Sequence, residues 1–255
     1  MATADSSRAL ATAALVLLAA VPAKAADDDY AAARSRLADI VAEDVRRTAG
    51  YLGTDTLSAR VVTALETVPR HELVPEGERP HAYENRPLPI GFGQTISQPY
   101  IVAIMTDLVD AGPASNILEI GTGSGYQAAM LAEVGASVCS MEIIPELAVR
   151  ARRDLDRLGY DAVRTRTGDG YHGWPECGPY DAIVVTAGAT HLPPPLIEQL
   201  VDGGRMIIPV GSRFLTQQLL LVEKKSATEI TTRHVLPVRF VPLTGGHEAP
   251  PAKSQ

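Results

Sequence analysis

The sequence contains few cysteines, few aromatic residues and no long run of basic residues. Only two cysteines, one tryptophan and three phenylalanines occur among its 255 residues. Two cysteines allow one disulfide at most. The formal net charge of −7 would repel a phosphate backbone over most of the surface, so we expect no nucleic-acid partner.

The histidines lack the spacing of metal ligands. No two of the six lie four residues apart, as paired zinc ligands on a helix would. We interpret His71, His172 and His191 as surface or structural residues and predict no metal site. The G-x-S-x-G turn that carries the nucleophile of many serine hydrolases is also absent, which disfavours hydrolysis.

The uncharged run at residues 9–20 is too short to span a bilayer comfortably, but it fits the core of a signal peptide. The sequence Ala23-Lys24-Ala25 follows and matches an A-x-A cleavage site. We predict a signal peptide over residues 1–25, a periplasmic or secreted protein, and no stable membrane insertion after its removal. The alternative is an Ala-rich tail, disordered or helical, on a cytosolic protein.

The two cysteines could pair in an oxidising compartment. Cys139, however, lies within the apolar run at residues 138–141. The simpler interpretation is that Cys139 is a small core residue that is not paired with Cys177.

Helical spacing of apolar residues dominates the N-terminal part. It predicts one helix over residues 30–48 and a second, capped by Thr56 or Ser58, that stops before Pro69. Residues 70–93 are rich in proline and glycine, which predicts irregular structure. Pro99 is expected to open a third helix, because proline costs least in a first turn.

Further along, short apolar strands alternate with helices. We predict strands over residues 116–120, 137–141, 163–167, 182–186 and 206–210, with helices over 126–134, 145–158 and 195–200. This alternation is typical of an α/β fold with a doubly wound, mostly parallel sheet. Strands at 219–223 and 235–240 have no helix between them, which predicts an antiparallel hairpin at one edge. The predicted domains are an N-terminal helical extension and loop (26–90), a main domain (91–245) and a flexible tail (246–255).

A glycine-rich turn follows the first predicted strand of the main domain. Gly121, Gly123 and Gly125 would let the backbone turn tightly and approach a ligand. Dinucleotide-binding loops place another glycine where this chain has Tyr126, which disfavours a nicotinamide dehydrogenase. Glu119 precedes the turn, where it would suit a cationic ligand better than a pyrophosphate.

Two more acidic residues end the following strands. Glu142 lies 21 residues after Gly121, the usual distance for a carboxylate that binds ribose hydroxyls. Asp169, followed by Gly170, ends the third strand, where it could accept a hydrogen bond from an adenine amino group. With Glu119, this set favours S-adenosylmethionine, which carries an ammonium and a sulfonium and no phosphate.

Several segments carry a resemblance to one family. They are VPR (68–70), GQTISQP (93–99), LEIGTGSGYQ (118–127), GDGYHG (168–173), YDAIVVTA (180–187) and RFVPL (239–243). In this order, and over roughly residues 35–245, the chain resembles the protein-L-isoaspartate (D-aspartate) O-methyltransferases. GQTISQP is highly specific, whereas the glycine loop alone would match many methyltransferases.

The resemblance implies a Rossmann-like class I methyltransferase that uses S-adenosylmethionine to esterify isoaspartyl carboxylates in damaged proteins and peptides. It implies that Ser97 is the active-site residue, with Thr95 and Ile96 beside it on the substrate side. The expected donor-binding residues are Gln98, Glu119, Gly121, Thr122, Gly123, Gly125, Glu142, Asp169, Gly170 and Thr244. We expect the protein to be a monomer.

The chemistry agrees with these assignments. A substrate α-carboxylate is already ionised at neutral pH, so no general base is needed, and Ser97 would orient it by hydrogen bonding. The alternative for Ser97 is a cap on the helix that follows. For the whole chain, the alternatives are methylation of an aspartate side chain in a specific modified peptide and non-catalytic binding of an adenosyl ligand.

Overall fold

The computed structural model describes residues 23–212 and 215–246. Its helices are α1 (Ala23–Arg47), α2 (Ala49–Leu52), α3 (Ala59–Thr67), α4 (Pro99–Leu108), α5 (Tyr126–Glu133), α6 (Pro145–Arg157) and α7 (Pro194–Gln199). Its strands are β1 (Leu88–Gly91), β2 (Gln94–Ile96), β3 (Asn116–Ile120), β4 (Ser137–Glu142), β5 (Arg164–Thr167), β6 (Tyr180–Val185), β7 (Leu200–Val210), β8 (Gln217–Ser226) and β9 (Glu229–Val238).

Within the described residues, seven strands form the central sheet, in the order β5-β4-β3-β6-β7-β8-β9. The first five in this order run parallel, and β8 and β9 are antiparallel to their neighbours. The predicted parallel sheet with an antiparallel edge hairpin is therefore confirmed. Parallel strands place their carboxyl ends along one edge of a sheet, which is where ligands bind in such folds.

Both faces of the sheet are covered by apolar side chains. Ile117 of β3 packs in a cluster that includes buried residues of α1, α3, α4 and α5. Leu118 and Ile120 point to the other face and pack in a second cluster, which includes Leu196 of α7. This double burial explains why the parallel strands read as continuous apolar runs instead of alternating ones.

The region between α3 and α4 is more regular than expected. Residues 70–93 were predicted to be irregular, and this is wrong in part: two short 3₁₀-helices, Arg70–Leu73 and Glu76–His81, are followed by an antiparallel hairpin of β1 and β2. Gly91 and Gly93 flank the hairpin tip with φ angles of 89° and 70°, so the glycines interpreted as loop residues make the turn.

The N-terminal helices pack on the same core as the sheet. The Nε atom of Arg34 in α1 donates to the carbonyl of Glu66 in α3 at 2.6 Å. Thr48 forms a hydroxyl–hydroxyl hydrogen bond of 2.7 Å with Tyr100 in α4. The predicted domain boundary between residues 90 and 91 falls inside β1, and the predicted division into domains stays a prediction.

The two cysteines lie together. Cys139 in β4 and Cys177, the last residue of the 3₁₀-helix Pro175–Cys177, form a disulfide with their Cα atoms 6.6 Å apart. The expectation that Cys139 is unpaired is therefore wrong, although the residue is fully buried as predicted. Because 38 residues separate the two cysteines in sequence, the packing of β4 against the 175–177 turn brings them together.

The predicted signal peptide lies almost entirely outside the described residues, and its last three residues belong to α1. The predicted tail lies outside them from residue 247 onward. Among the residues that the structure describes, no helix is both long enough and apolar enough to cross a membrane.

Candidate active site

A cleft of about 790 Å³ opens at the carboxyl ends of β3 and β4, beside the glycine loop that joins β3 to α5. Gly121 and Gly123 in this loop have φ angles of 96° and 54°, a region that glycine adopts without strain. A Cβ atom on Gly121 would overlap Oγ1 of Thr186, which follows β6. The backbone can therefore approach both β6 and a ligand closely. We call this space the donor cleft.

Glu142, the last residue of β4, ties two loops of the donor cleft together. Its Oε2 atom accepts a hydrogen bond from the backbone N–H of Gly123 at 2.8 Å. Its Oε1 atom accepts one from the backbone N–H of Ile144 at 2.9 Å. These bonds hold the carboxylate at the rim of the cleft, in the position expected for a ribose-binding acid.

Glu119 in β3 is completely buried and lines the donor cleft. Burial raises its pKa to about 8, the charge of Glu142 adds to the rise, and hydrogen bonds from Ser140 and the backbone of Ala128 oppose it. Its Oε1 atom is buried without a hydrogen-bond partner of normal geometry. A buried carboxylate oxygen that lacks a partner is costly, so a cationic ligand group at this point would be favourable.

The third predicted acid lies at the end of β5. Oδ1 of Asp169 accepts a hydrogen bond from the backbone N–H of Tyr171 at 3.0 Å. The next residue, Gly170, is buried, and a Cβ atom there would overlap the side chain of Ile120. This turn therefore needs glycine to pack against the end of β3.

The C-terminal segment closes over Asp169. A Cβ atom on Gly245 would overlap the Asp169 carboxylate, so the two residues are in direct contact. The backbone N–H of Leu243 donates to the carbonyl of Gly188 at 2.8 Å, which anchors the segment. Thr244 lines the donor cleft, as its predicted role requires.

A second cleft of about 880 Å³ adjoins the first, and we call it the acceptor cleft. The residues that line both clefts are Thr95, Ser97, Thr186 and Val241. Among the described residues that line the acceptor cleft, the only charged side chain is that of Arg239, which is exposed. The described lining of the donor cleft contains Glu119 and Glu142 and no basic residue.

Ser97 lies where the two clefts meet. Its side chain makes no hydrogen bond to any described residue, and it is partly buried. The N-cap of α4 is Gln98, without a side-chain capping bond, so the alternative that Ser97 caps this helix is wrong. The Ser97 hydroxyl is therefore available to a ligand in either cleft.

Most of the predicted site residues meet at the donor cleft. Those that line it are Thr95, Ile96, Ser97, Glu119, Gly121, Thr122, Gly123, Glu142, Gly170 and Thr244. Three others do not: Gln98 lines the acceptor cleft, Gly125 is the N-cap of α5, and Asp169 lies between two lining residues. Their predicted contacts with the donor stay predictions. In the described ranges, no three His, Cys, Asp or Glu side chains are grouped so as to hold a metal ion.

Comparison with known proteins is decisive for the family. Residues 49–248 match the family described as Protein-L-isoaspartate(D-aspartate) O-methyltransferase (PCMT). The chain belongs to this family. Protein-L-isoaspartate O-methyltransferase 2 of Syntrophobacter fumaroxidans is 62% identical over 88% of this chain and 90% of its own length. Protein-L-isoaspartate O-methyltransferase 1 of Cupriavidus necator is 56% identical over 88% of this chain and 86% of its own.

Solved structures of the PCMT family share this fold. A protein-L-isoaspartate O-methyltransferase structure, 31% identical, superposes with a TM-score of 0.71 and covers 83% of this chain, which spans 66% of that longer chain. A Plasmodium falciparum structure described as a PCMT protein in complex with S-adenosyl-L-homocysteine is 26% identical, with a TM-score of 0.66. It covers 80% of this chain, which spans 96% of its length.

The donor cleft of this PCMT chain fits S-adenosylmethionine. The free oxygen of Glu119 suits an ammonium, and Glu142 stands where ribose hydroxyls are expected. No phosphate is needed to explain any of these groups.

Three residues of this PCMT chain were not singled out from the sequence. Thr186 holds the glycine loop, because its Oγ1 donates to the carbonyl of Gly121 at 2.7 Å. From the sequence, Arg239 stands out only as part of RFVPL, and Ser140 only as part of an apolar strand. A polar residue inside an otherwise apolar strand is the signal that could have indicated Ser140.

Proposed function

We propose that this chain methylates the α-carboxylate of L-isoaspartyl residues, and the corresponding carboxylate of D-aspartyl residues, in damaged proteins and peptides. The methyl donor is S-adenosylmethionine, the donor of this family. The observation that carries the proposal is that two joined clefts carry ionisable groups of opposite kinds. The acids Glu119 and Glu142 line one, an arginine lines the other, and Ser97 lies between them.

Bound S-adenosylmethionine supplies an electrophilic methyl group on a sulfonium. Glu119 would receive its ammonium, Glu142 its ribose hydroxyls, and the turn at Asp169 and Gly170 its adenine. Backbone N–H groups hold the carboxylates of Glu142 and Asp169, and the Ser140 hydroxyl holds that of Glu119, so the site is ordered before the donor arrives. This order supports in-line alignment of the reacting atoms.

On the acceptor side, the chain needs to orient a carboxylate and exclude water. The carboxylate is ionised at neutral pH and requires no base. The free hydroxyl of Ser97 can donate to one of its oxygens, and Arg239 supplies a positive charge at the outer part of the cleft. The resulting methyl ester cyclises to a succinimide without the enzyme, and hydrolysis of the succinimide returns some normal aspartate.

The test is methyl transfer from labelled donor to two matched peptides, one with isoaspartate and one with aspartate. We expect a base-labile label in the isoaspartyl peptide only. Label on aspartate within one modified peptide would favour a side-chain methyltransferase. Donor binding without any transfer would indicate a non-catalytic adenosyl-binding protein, and either result would overturn the proposal.

We also propose that the protein works in the periplasm or after secretion. The Cys139–Cys177 disulfide supports this, because such bonds persist in oxidising compartments and are rare in the cytosol. Alkylation of free thiols after cell fractionation tests it. The protein should occur outside the cytoplasm with both thiols protected, and a reduced, cytoplasmic protein would contradict the proposal.

We propose that the protein acts as a monomer on isoaspartyl proteins and peptides. Light scattering on the purified protein should give a mass near 27.1 kDa, less any segment removed on export. A stable dimer with residues of both copies in one cleft would contradict this.

A further inference from the structure

A serine in the middle of β4 contacts the buried acid of the donor cleft. Ser140 and Glu119 are direct partners in the register of the parallel strands β3 and β4, so both side chains point to the same face of the sheet. Neither has any exposed surface. The Ser140 hydroxyl donates a hydrogen bond to Oε2 of Glu119.

A second hydroxyl fixes the direction of this contact. Oγ1 of Thr122, in the glycine loop, lies 2.5 Å from Oγ of Ser140. When Glu119 is ionised, as it would be opposite a cation, the single hydroxyl proton of Ser140 is used toward the carboxylate, and Thr122 then donates to Ser140. The two hydroxyls form a chain that ends on one oxygen of the carboxylate.

The other oxygen of the carboxylate makes no hydrogen bond of normal geometry, although the backbone of Ala128 is near enough to lower the pKa of Glu119. Oε1 of Glu119 is buried and has no partner of normal geometry, and the residue lines the donor cleft. A glutamate side chain without the Ser140 contact could rotate and satisfy both oxygens elsewhere. The hydroxyl chain therefore determines which oxygen stays available to a ligand.

We propose that Ser140 is a positioning residue of the donor site, which, held by Thr122, orients Glu119 so that its free oxygen receives the ammonium of the donor. The inference rests on the proposed function, since it takes S-adenosylmethionine as the ligand. It adds a residue that does not touch the donor and whose effect is confined to the amino-acid end of that ligand.

The test compares Ser140→Ala with Ser140→Thr, which keeps the hydroxyl, and with Ser137→Ala as a matched control. Ser137 is the exposed first residue of the same strand. Calorimetry gives the dissociation constants for S-adenosylmethionine, S-adenosylhomocysteine and 5′-methylthioadenosine. The last compound keeps the nucleoside and lacks the amino-acid end.

We expect Ser140→Ala to weaken the binding of S-adenosylmethionine and S-adenosylhomocysteine about tenfold, because a hydrogen bond to a charged group is lost. Binding of 5′-methylthioadenosine should stay within about twofold. Ser140→Thr and Ser137→Ala should resemble the wild type. Equal weakening of all three ligands, or no weakening of any, would overturn the inference.

A second readout does not depend on the ligand. Because the Ser140 hydrogen bond lowers the pKa of Glu119, its removal should raise the midpoint of the Glu119 carboxyl signal in ¹³C NMR of the unliganded protein. An unchanged midpoint would count against the positioning role. If Ser140→Ala does not fold, Ser140→Cys keeps the volume with a weaker donor and should shift both readouts in the same direction.

The two proposals fail separately. If the wild-type protein binds none of the three ligands, the proposed function fails. If the wild type binds and methylates but Ser140→Ala behaves like Ser137→Ala, only the inference about Ser140 fails.

Discussion

The donor and acceptor clefts share a wall but differ in how they are built. The donor cleft lies at the ends of β3 and β4, and its acids Glu119 and Glu142 are buried and hydrogen-bonded. The acceptor cleft is lined by residues from 87–101 and 237–241 together with Thr186 and Thr216, and its charged residue, Arg239, is exposed. The ammonium of S-adenosylmethionine is the same in every turnover, so a fixed acidic side chain suits it. Protein substrates differ in the residues that flank the isoaspartate, so an exposed and adaptable side chain suits them.

The largest expected effect is at the junction of the two clefts. Ser97→Ala should lower kcat by about 100-fold, because misalignment of the reacting groups costs on this order. Donor affinity should change less than about twofold, since Ser97 acts on the acceptor. Calorimetry and single-turnover methyl transfer measure the two quantities separately.

Ser97→Thr is the matched variant, because it keeps the hydroxyl and should retain more activity than Ser97→Ala. Equal losses of rate and donor affinity in Ser97→Ala would contradict the division into two clefts.

On the donor side, Asp169→Ala should weaken the binding of S-adenosylmethionine by roughly 10- to 100-fold, because it removes a charged hydrogen-bond acceptor from a partly buried turn. It should also loosen the contact with Gly245. The variant Asp161→Ala removes an exposed acid nearby in sequence and should leave the affinity unchanged. An unaltered dissociation constant for Asp169→Ala would show that this residue does not contribute to donor binding.

The donor cleft and the Rossmann-like fold around it could be predicted from the sequence, because the sequence signals for them are local. Apolar strands, the glycine loop and Glu142 are each recognisable within one βα unit. The acceptor cleft joins residues 87–101 to residues 237–241, and no local pattern reveals that contact. The same holds for the disulfide, whose partners meet only through packing of β4 against the 175–177 turn.

The hairpin of β1 and β2 was missed for a different reason. Pro89, Gly91 and Gly93 are typical of loops, yet Leu88 and Ile90 are fully buried and alternate with exposed residues. That alternation over four residues is the strand signal, and the prolines and glycines around it obscured it.

The buried acid of the donor cleft predicts a pH dependence. The pKa of Glu119 is about 8 in the folded protein and 4.5 ordinarily, so the folded state retains a proton that the unfolded chain releases. The contribution of protonated Glu119 to the free energy of unfolding is complete below pH 4.5 and is lost as the pH rises to 8. Relative to Glu119→Gln, wild-type stability should therefore fall by up to about 1.4 kcal/mol per pH unit in this window.

Urea unfolding of both proteins without ligand, from pH 5 to pH 9, measures this difference. Glutamine has the same size and does not titrate, so other ionisable groups cancel. A difference that stays constant with pH would show that Glu119 is already ionised in the folded protein.

The smallest effect is expected at the open end of the acceptor cleft. Arg239→Ala should raise KM about two- to fivefold for an isoaspartyl peptide with acidic flanks and less for one with neutral flanks, since exposed ion pairs are weak. Arg239→Lys keeps the charge and serves as the control. Equal changes in KM for both peptides would exclude a role for Arg239 in the recognition of acidic flanking residues.

The acidic lining of one cleft and the basic lining of the other are tested most directly by calorimetric titration of wild type, Glu119→Gln and Arg239→Ala with two ligands. The ligands are S-adenosylmethionine, and an isoaspartyl peptide with acidic flanks added in the presence of S-adenosylhomocysteine. We expect Glu119→Gln to weaken only the binding of S-adenosylmethionine, by about tenfold. Arg239→Ala should weaken only the binding of the isoaspartyl peptide, by a few-fold. Wild-type protein that binds neither ligand, or variants that weaken both ligands equally, would contradict the account.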